Sequence, residues 1–193
     1  GTDNRALFAA CDVIVIAVKP QQMRTLLADL APVAGSPPPS RKLIISIAAG
    51  IRLKTFEAIL YRHLAEDERS RLPIVRVMPN TPALVLTGMS GMSPNAMATD
   101  EDMALTRRLL ASMGKVIAFE EADLDAVTAV SGSGPAYVFY LAEAMIAGGI
   151  RSGLTPSDAE ALTLQTLKGA VRLLENAQLT PEERAAAGVP EDM

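Results

Sequence analysis

Asp12–Val18 reads DVIVIAV, a short unbroken apolar run dominated by β-branched residues. Such a run describes a strand buried on both faces of a parallel sheet, where no side alternates with polar residues. Lys19-Pro20 ends it. Pro20–Leu30 then takes helical spacing, with Met23, Leu26, Leu27 and Leu30 on one side. Gly35-Ser36-Pro37-Pro38-Pro39-Ser40 is a loop by composition. The pattern then repeats. Leu43–Ile47 reads as a second buried strand closed by Ala48-Ala49-Gly50, and a helix follows over 53–64. A third strand, Ile74–Met78, runs into Pro79-Asn80-Thr81-Pro82, and Gly88–Met92 reads as a further short strand. Thr99 caps a helix whose first turn holds Asp100, Glu101 and Asp102, acidic side chains that favour a helix start. Lys115–Phe119 is the last strand. Strands alternating with helices imply parallel pairing through right-handed crossovers.

The character changes near 120–123. Beyond Asp123 only helices are expected, over 123–130, 135–150, 156–175 and about 181–187. Thr155-Pro156-Ser157-Asp158 and Thr180-Pro181-Glu182-Glu183 both look like helix starts. The expected architecture is therefore α/β then all-α: a Rossmann-like parallel sheet over 1–121, incomplete at its N-terminus, and a helical domain over 122–193.

Composition removes several classes of function. A net charge of −4 without a basic stripe argues against nucleic acid, and no apolar run reaches membrane-spanning length. One cysteine and one histidine exclude an internal disulfide and a Cys/His zinc site, so no metal is expected. The lone thiol suits a reducing, cytoplasmic setting, and polar Gly1–Arg5 shows no leader pattern.

In open α/β sheets ligands lie beyond the carboxyl ends of the strands. Three successive strand ends here carry Ala17-Val18-Lys19-Pro20-Gln21, Ser46-Ile47-Ala48-Ala49-Gly50 and Val77-Met78-Pro79-Asn80-Thr81-Pro82. Small and rigid residues in all three would let backbone approach a flat cofactor, although each loop alone is equally a tight strand-to-helix turn. The glycine fingerprint G-x-G-x-x-G is absent. Gly132-Ser133-Gly134 does not supply it, because Tyr137 stands in place of the third glycine and no strand precedes. Instead Ser131-Gly132-Ser133-Gly134-Pro135 opens a long apolar helix, with proline suited to its first turn.

Ala17–Gln21, Ser46–Gly50, Arg76–Pro82 and Asp125–Tyr137 (DAVTAVSGSGPAY) come in the order and approximate spacing of one family. Over about Asn4–Leu174 the chain resembles pyrroline-5-carboxylate reductase, which makes L-proline by reducing a cyclic imine with a nicotinamide cofactor. The resemblance implies an N-terminal Rossmann-like domain and a helical domain through which protomers pair. It implies NADPH or NADH as cofactor, pyrroline-5-carboxylate as substrate, and a homodimer or larger homo-oligomer. It implies that Ala17, Val18, Lys19 and Pro20, with Ile47, Ala48 and Ala49, line the nicotinamide side. Asn4 matches a cofactor-contacting asparagine, and Asp125 a position near the cofactor. The glycine-rich first turn would precede this chain, and the family's substrate-carboxylate loop has no counterpart after Leu174, where Glu175–Pro181 reads ENAQLTP. The expectation is a fragment or incomplete chain with little activity alone, which measurable turnover by the 193-residue chain would oppose.

Reducing an imine already protonated in water asks for orientation and exclusion of water rather than a catalytic side chain. No catalytic residue is therefore expected. Thr128, Ser131 and Ser133 either hydrogen-bond substrate or carboxamide, or serve only as helix caps. His63, in a polar helix, and Cys11, without a basic neighbour, read as inert. A β-hydroxyacid dehydrogenase of similar build is the enzymatic alternative. Its lysine and asparagine would fall at Val138 and Ala142, and neither can move a proton. A non-catalytic homologue acting as a dimerisation module is the other alternative. Tyr137, Phe139, Tyr140, Leu141 and Met145 are expected to pack the helical core, and the helix over 156–175, apolar over more than one face, to be buried in its own domain or against a partner.

Overall fold

The computed structural model describes residues 3–34, 40–176 and 183. The proline loop at 35–39 and the expected helix at 181–187 fall outside these, Glu183 apart. The chain divides into two compact units, Gly1–Pro135 and Ala136–Met193.

In the first unit, α1 (Asn4–Ala10) leads into β1 (Val13–Ile16), a 3-10 turn at Pro20–Gln22 and α2 (Met23–Ala34). Next come β2 (Leu43–Ser46), α3 (Leu53–Leu60), a 3-10 turn at Asp67–Arg71 and β3 (Ile74–Pro79). β4 (Gly88–Pro94), α4 (Asp100–Ala111) and β5 (Gly114–Ala118) complete the layer. A short helix, α5 (Leu124–Val127), follows, with a π-turn at Thr128–Gly132. α6 (Gly134–Arg151) begins at the end of this unit, and α7 (Pro156–Asn176) belongs to the second.

The five strands lie in sequence order. β1–β2, β2–β3 and β4–β5 are parallel, with Val13 opposite Leu43, Ile44 opposite Ile74 and Gly88 opposite Gly114. β3 and β4 are antiparallel, with Arg76 opposite Ser93 and Pro79 opposite Ser90, so the expected all-parallel pairing is corrected at this one step. The link between them, Asn80–Thr87, is eight residues with only a 3-10 turn at Thr81–Val85. A parallel crossover needs a dozen residues or more, so this link can only reverse the chain.

Alternate strand residues feed two cores. Ile14, Ile16, Ile44 and Ile74 face Phe8, Met23, Leu27, Phe56 and Leu60 from α1, α2 and α3. Leu43, Ile45, Val75, Val77 and Met92 face Leu110 of α4 on the other side. β1 departs from the expected double burial. Ile14 and Ile16 are buried, but Val15 is 54% exposed because the α4 layer covers β2–β4 and reaches only Val13 on β1. At the start of β5, Gly114 (φ 147°) lies so close to Gly88 that a Cβ would sit 1.9 Å from the Gly88 carbonyl oxygen, so only glycine fits.

In the second unit Gly149 of α6 faces Ala159 of α7, where a Cβ would meet the alanine methyl at 3.1 Å. The expected aromatic core is not formed within one copy. Tyr137, Phe139, Tyr140 and Leu141 are exposed, Tyr140 at 76%, while Met145 is half-buried. α7 likewise bares Leu162, Leu164, Val171, Leu173 and Leu174, with Ala159 and Thr163 its buried positions. Two helices have too little mutual surface to bury an apolar circumference.

Candidate functional site

Because β1, β2 and β3 run parallel, their carboxyl ends share one edge of the sheet. Ala17, Lys19 and Pro20 are exposed beyond β1, with Val18 half-buried. The Lys19 carbonyl accepts from the Gln22 N–H at 2.9 Å, which fixes the turn and leaves the ammonium group outside it. Beyond β2, Ile47 is half-buried and Ala49 exposed, whereas the Ala48 methyl packs in the core. Ala48 can therefore offer a ligand only its backbone, and its N–H leans on Ser46 Oγ at 3.4 Å. Gly50 (φ 75°) turns the chain into α3 with open space where a Cβ would stand.

Asn4 opens α1 and is exposed. Lys42, at the start of β2, donates to the carbonyls of Ala9 and Cys11, which ties the far end of α1 to the amino edge of the sheet.

Beyond β3, Asn80 organises the edge. Its Nδ2 donates to the Ser131 carbonyl and to Ser131 Oγ, both at 3.2 Å, while its Oδ1 accepts from the Met89 N–H at 2.8 Å. One carboxamide thus ties the end of β3, the start of β4 and the π-turn together. A Cβ on Gly132 would lie 2.7 Å from Met78 Cε, so the turn rests directly on the strand end. The three hydroxyls differ in state. Thr128 Oγ1 donates back to the Leu124 carbonyl at 2.7 Å, which commits its proton to the helix. Ser131 Oγ accepts from Asn80, which leaves its own proton to donate outward. The Ser133 N–H donates to the Thr128 carbonyl at 2.8 Å and closes the π-turn.

Asp125 sits in a charge cluster. It lies 3.4 Å from Arg52 and 3.9 Å from Arg76, and is itself 67% exposed. The buried Arg76 donates to Glu121 at 3.1 Å, and the same Glu121 oxygen accepts the first N–H of α3, from Leu53, at 2.6 Å. Two guanidinium groups against two carboxylates balance the charge, so Asp125 is a structural partner here and not an isolated acid. Sequence alone assigns no role to Arg76, Glu121 or Asn80. The signal for Arg76 was a cation inside the apolar strand IVRVMP, where burial requires a paired carboxylate. His63 is exposed after α3, and Cys11 half-buried after α1. No group of three or more potential metal ligands occurs among the described residues.

This sheet with its ligand-ready carboxyl edge defines a Rossmann-like protein followed by helices, and known sequences agree. Residues 121–189 match a family model for pyrroline-5-carboxylate reductase dimerisation, and residues 1–50 one described as NADP oxidoreductase coenzyme F420-dependent. A pyrroline-5-carboxylate reductase of Pseudomonas aeruginosa is 42% identical over 181 residues, covering 93% of this chain and 62% of that one. The Corynebacterium melassecola enzyme of that name is 34% identical, over 98% of this chain and 67% of its own. The crystal structure of a Plasmodium falciparum pyrroline carboxylate reductase with NADP bound superposes with a TM-score of 0.79 at 33% identity, covering 92% and 63%. A Coxiella burnetii pyrroline-5-carboxylate reductase gives 0.80 at 33%, covering 98% and 67%. The chain belongs to the pyrroline-5-carboxylate reductase family. It spans a little under two thirds of the length of several curated relatives, 62% to 63% of them.

Proposed function

We propose that the protein reduces the cyclic imine 1-pyrroline-5-carboxylate to L-proline with NADPH or NADH, and that the carboxyl edge of the sheet holds the cofactor. The convergence of three small-residue loops and the Ser131 turn on one edge carries this reading. The residues present fit a flat dinucleotide. Exposed Ala17 and Ala49, the open space at Gly50 and the half-buried Val18 and Ile47 offer backbone and small apolar surface. Asn4 and the exposed Lys19 stand where polar parts of the cofactor would be met. Bound there, the reduced nicotinamide supplies the hydride.

The side chains have a positioning task. The substrate enters as an iminium, protonated by water, so that hydride addition at the C=N carbon alone completes the amine. Ser131, its oxygen engaged by Asn80, keeps a proton for donation to a substrate carboxylate or a carboxamide. Thr128 and Ser133 shape the turn that presents it. Asp125 sets Arg52 and Arg76 in place beside α3. Water exclusion and orientation then supply the acceleration.

The dehydrogenase alternative is disfavoured by Val138 and Ala142, which offer no base. The test is nicotinamide oxidation followed at 340 nm. Pyrroline-5-carboxylate should consume NADPH or NADH, while a β-hydroxyacid with the oxidised cofactor should give no signal. The reverse pattern would overturn the reading.

The uncovered apolar surfaces of α6 and α7 support a homodimer or larger homo-oligomer built through the helical segment. The start of the matched dimerisation segment at 121, just past β5, supports a functional boundary between 121 and 122. The division by contacts at Pro135 follows from α5 and the π-turn packing on β4 and β3. A single cysteine supports a cytoplasmic setting, and no described helix is long and apolar enough to cross a membrane.

A further inference from the structure

A groove of about 540 Å³ runs along α3. Lys54, Glu57 and Ala58 of α3, with Tyr61 and Arg62 just past its end, form one wall. Arg69, from the 3-10 turn before β3, and Ala96 and Met97, after β4, form the other. Antiparallel pairing sets the end of β4 beside the start of β3, Pro94 opposite Val75, so this second wall lies at the amino end of β3.

The charges in the groove are unbalanced. Lys54, Arg62 and Arg69 have no carboxylate within 4.0 Å among the described residues. Glu57 is the one acid in the lining, and its Oε1 is already taken by Asn95 Nδ2 at 2.9 Å. The guanidinium of Arg69 is held over the Tyr61 ring, 5.9 Å from its centre, yet its Nε is buried with no hydrogen-bond acceptor. A buried charged donor without an acceptor is costly, and native proteins keep few of them. Tyr61 cannot serve, since its hydroxyl donates to the Leu72 carbonyl and accepts from Asn95. No described residue supplies the acceptor that Arg69 Nε lacks.

We propose that this groove is a binding site for a small anion charged at more than one point, of the class that bears phosphate groups. Lys54 stands in the first turn of α3 and Arg62 two residues past its last, at opposite ends of the groove wall. They meet the two ends of such a ligand, and Arg69 meets its centre through a planar fork suited to phosphate oxygens. The site is independent of the reductase reading and of the edge that carries it.

Calorimetric titration of the whole protein with inorganic tripolyphosphate, at fixed ionic strength, tests this. Tripolyphosphate should bind at least about tenfold more tightly than inorganic phosphate. Arg69→Gln should weaken it by about tenfold or more, as loss of a charge-assisted bond does. Lys54→Gln and Arg62→Gln, at exposed positions that leave the fold intact, should each weaken it as well. Arg24→Gln, an equal charge change on the exposed face of α2, should not, and saturating NADPH should not displace the ligand. Absence of binding, equal binding by the Lys54→Gln/Arg62→Gln double variant, or displacement by NADPH would each overturn the proposal.

Discussion

Asn80 shows how much one side chain can decide. Its carboxamide makes three hydrogen bonds, and they separate by atom: Oδ1 serves Met89 and Nδ2 serves Ser131. Asn80→Asp keeps the acceptor and removes the donor, and the new carboxylate takes the Ser131 proton that we assign to substrate or cofactor. We expect kcat/KM for imine reduction to fall by about tenfold or more, with the melting temperature little changed. Steady-state kinetics beside a thermal melt check this; unchanged kinetics would remove Ser131 from the site. The sequence made Asn80 visible as part of a rigid strand-end motif, but not its partner. A hydroxyl 51 residues away is a tertiary fact that no local spacing encodes. Arg76 was more legible, since a cation within an apolar strand has to find an acid.

At the scale of elements, the start of α4 is a case where local rule and tertiary contact agree. Thr99 and Asp102 form a reciprocal capping box, foreseeable from the acidic first turn. Arg41, from the approach to β2, adds a two-pronged ion pair to the same carboxylate. Burial acts to raise the Asp102 pKa, but the hydrogen bond from Arg41 and those from Thr99 outweigh it, and the carboxyl is held below its ordinary value of 3.8. A depressed native pKa means the folded chain binds this proton less readily than the unfolded chain. The contribution is therefore complete above about pH 4 and lost as pH falls through the native pKa. Urea midpoints should drop on acidification below that point, and Asp102→Asn should flatten that dependence while costing about 2 kcal/mol at neutral pH. Equal acid sensitivity in wild type and variant would contradict it.

Strand and helix identities were readable because β-branched runs and 3.6-residue spacing are local. The reversal between β3 and β4 is hidden by strand alternation and shows only in the shortness of the eight-residue link. α1 was missed because NRALFAA buries only Phe8, too little to make a pattern. The π-turn was read as ordinary helix, since one extra residue per turn leaves no trace in composition.

For the whole molecule, the helical segment asks for a partner. Val171 is 55% exposed in one copy, so Val171→Glu should leave the isolated subunit folded. If α7 pairs with a second copy, the same change places a charge in an apolar interface. Light scattering should then give a dimer or larger assembly for the wild type and a halved or monomeric mass for the variant. A wild-type monomer, or an unaffected mass in the variant, would contradict the dimer. The exposed aromatics of α6 explain why sequence alone misplaced them. Apolar residues on a helix announce burial but not which chain supplies the cover.

The account rests on where the cofactor lies, and amide chemical-shift mapping during NADPH titration of the protein addresses this most directly. The largest shifts should fall on Ala17, Val18, Lys19, Ile47, Ala48 and Ala49, with smaller ones in the turn around Ser131. Shifts confined to the amino edge of the sheet or to α7, or none at these six amides at saturating NADPH, would contradict the placement.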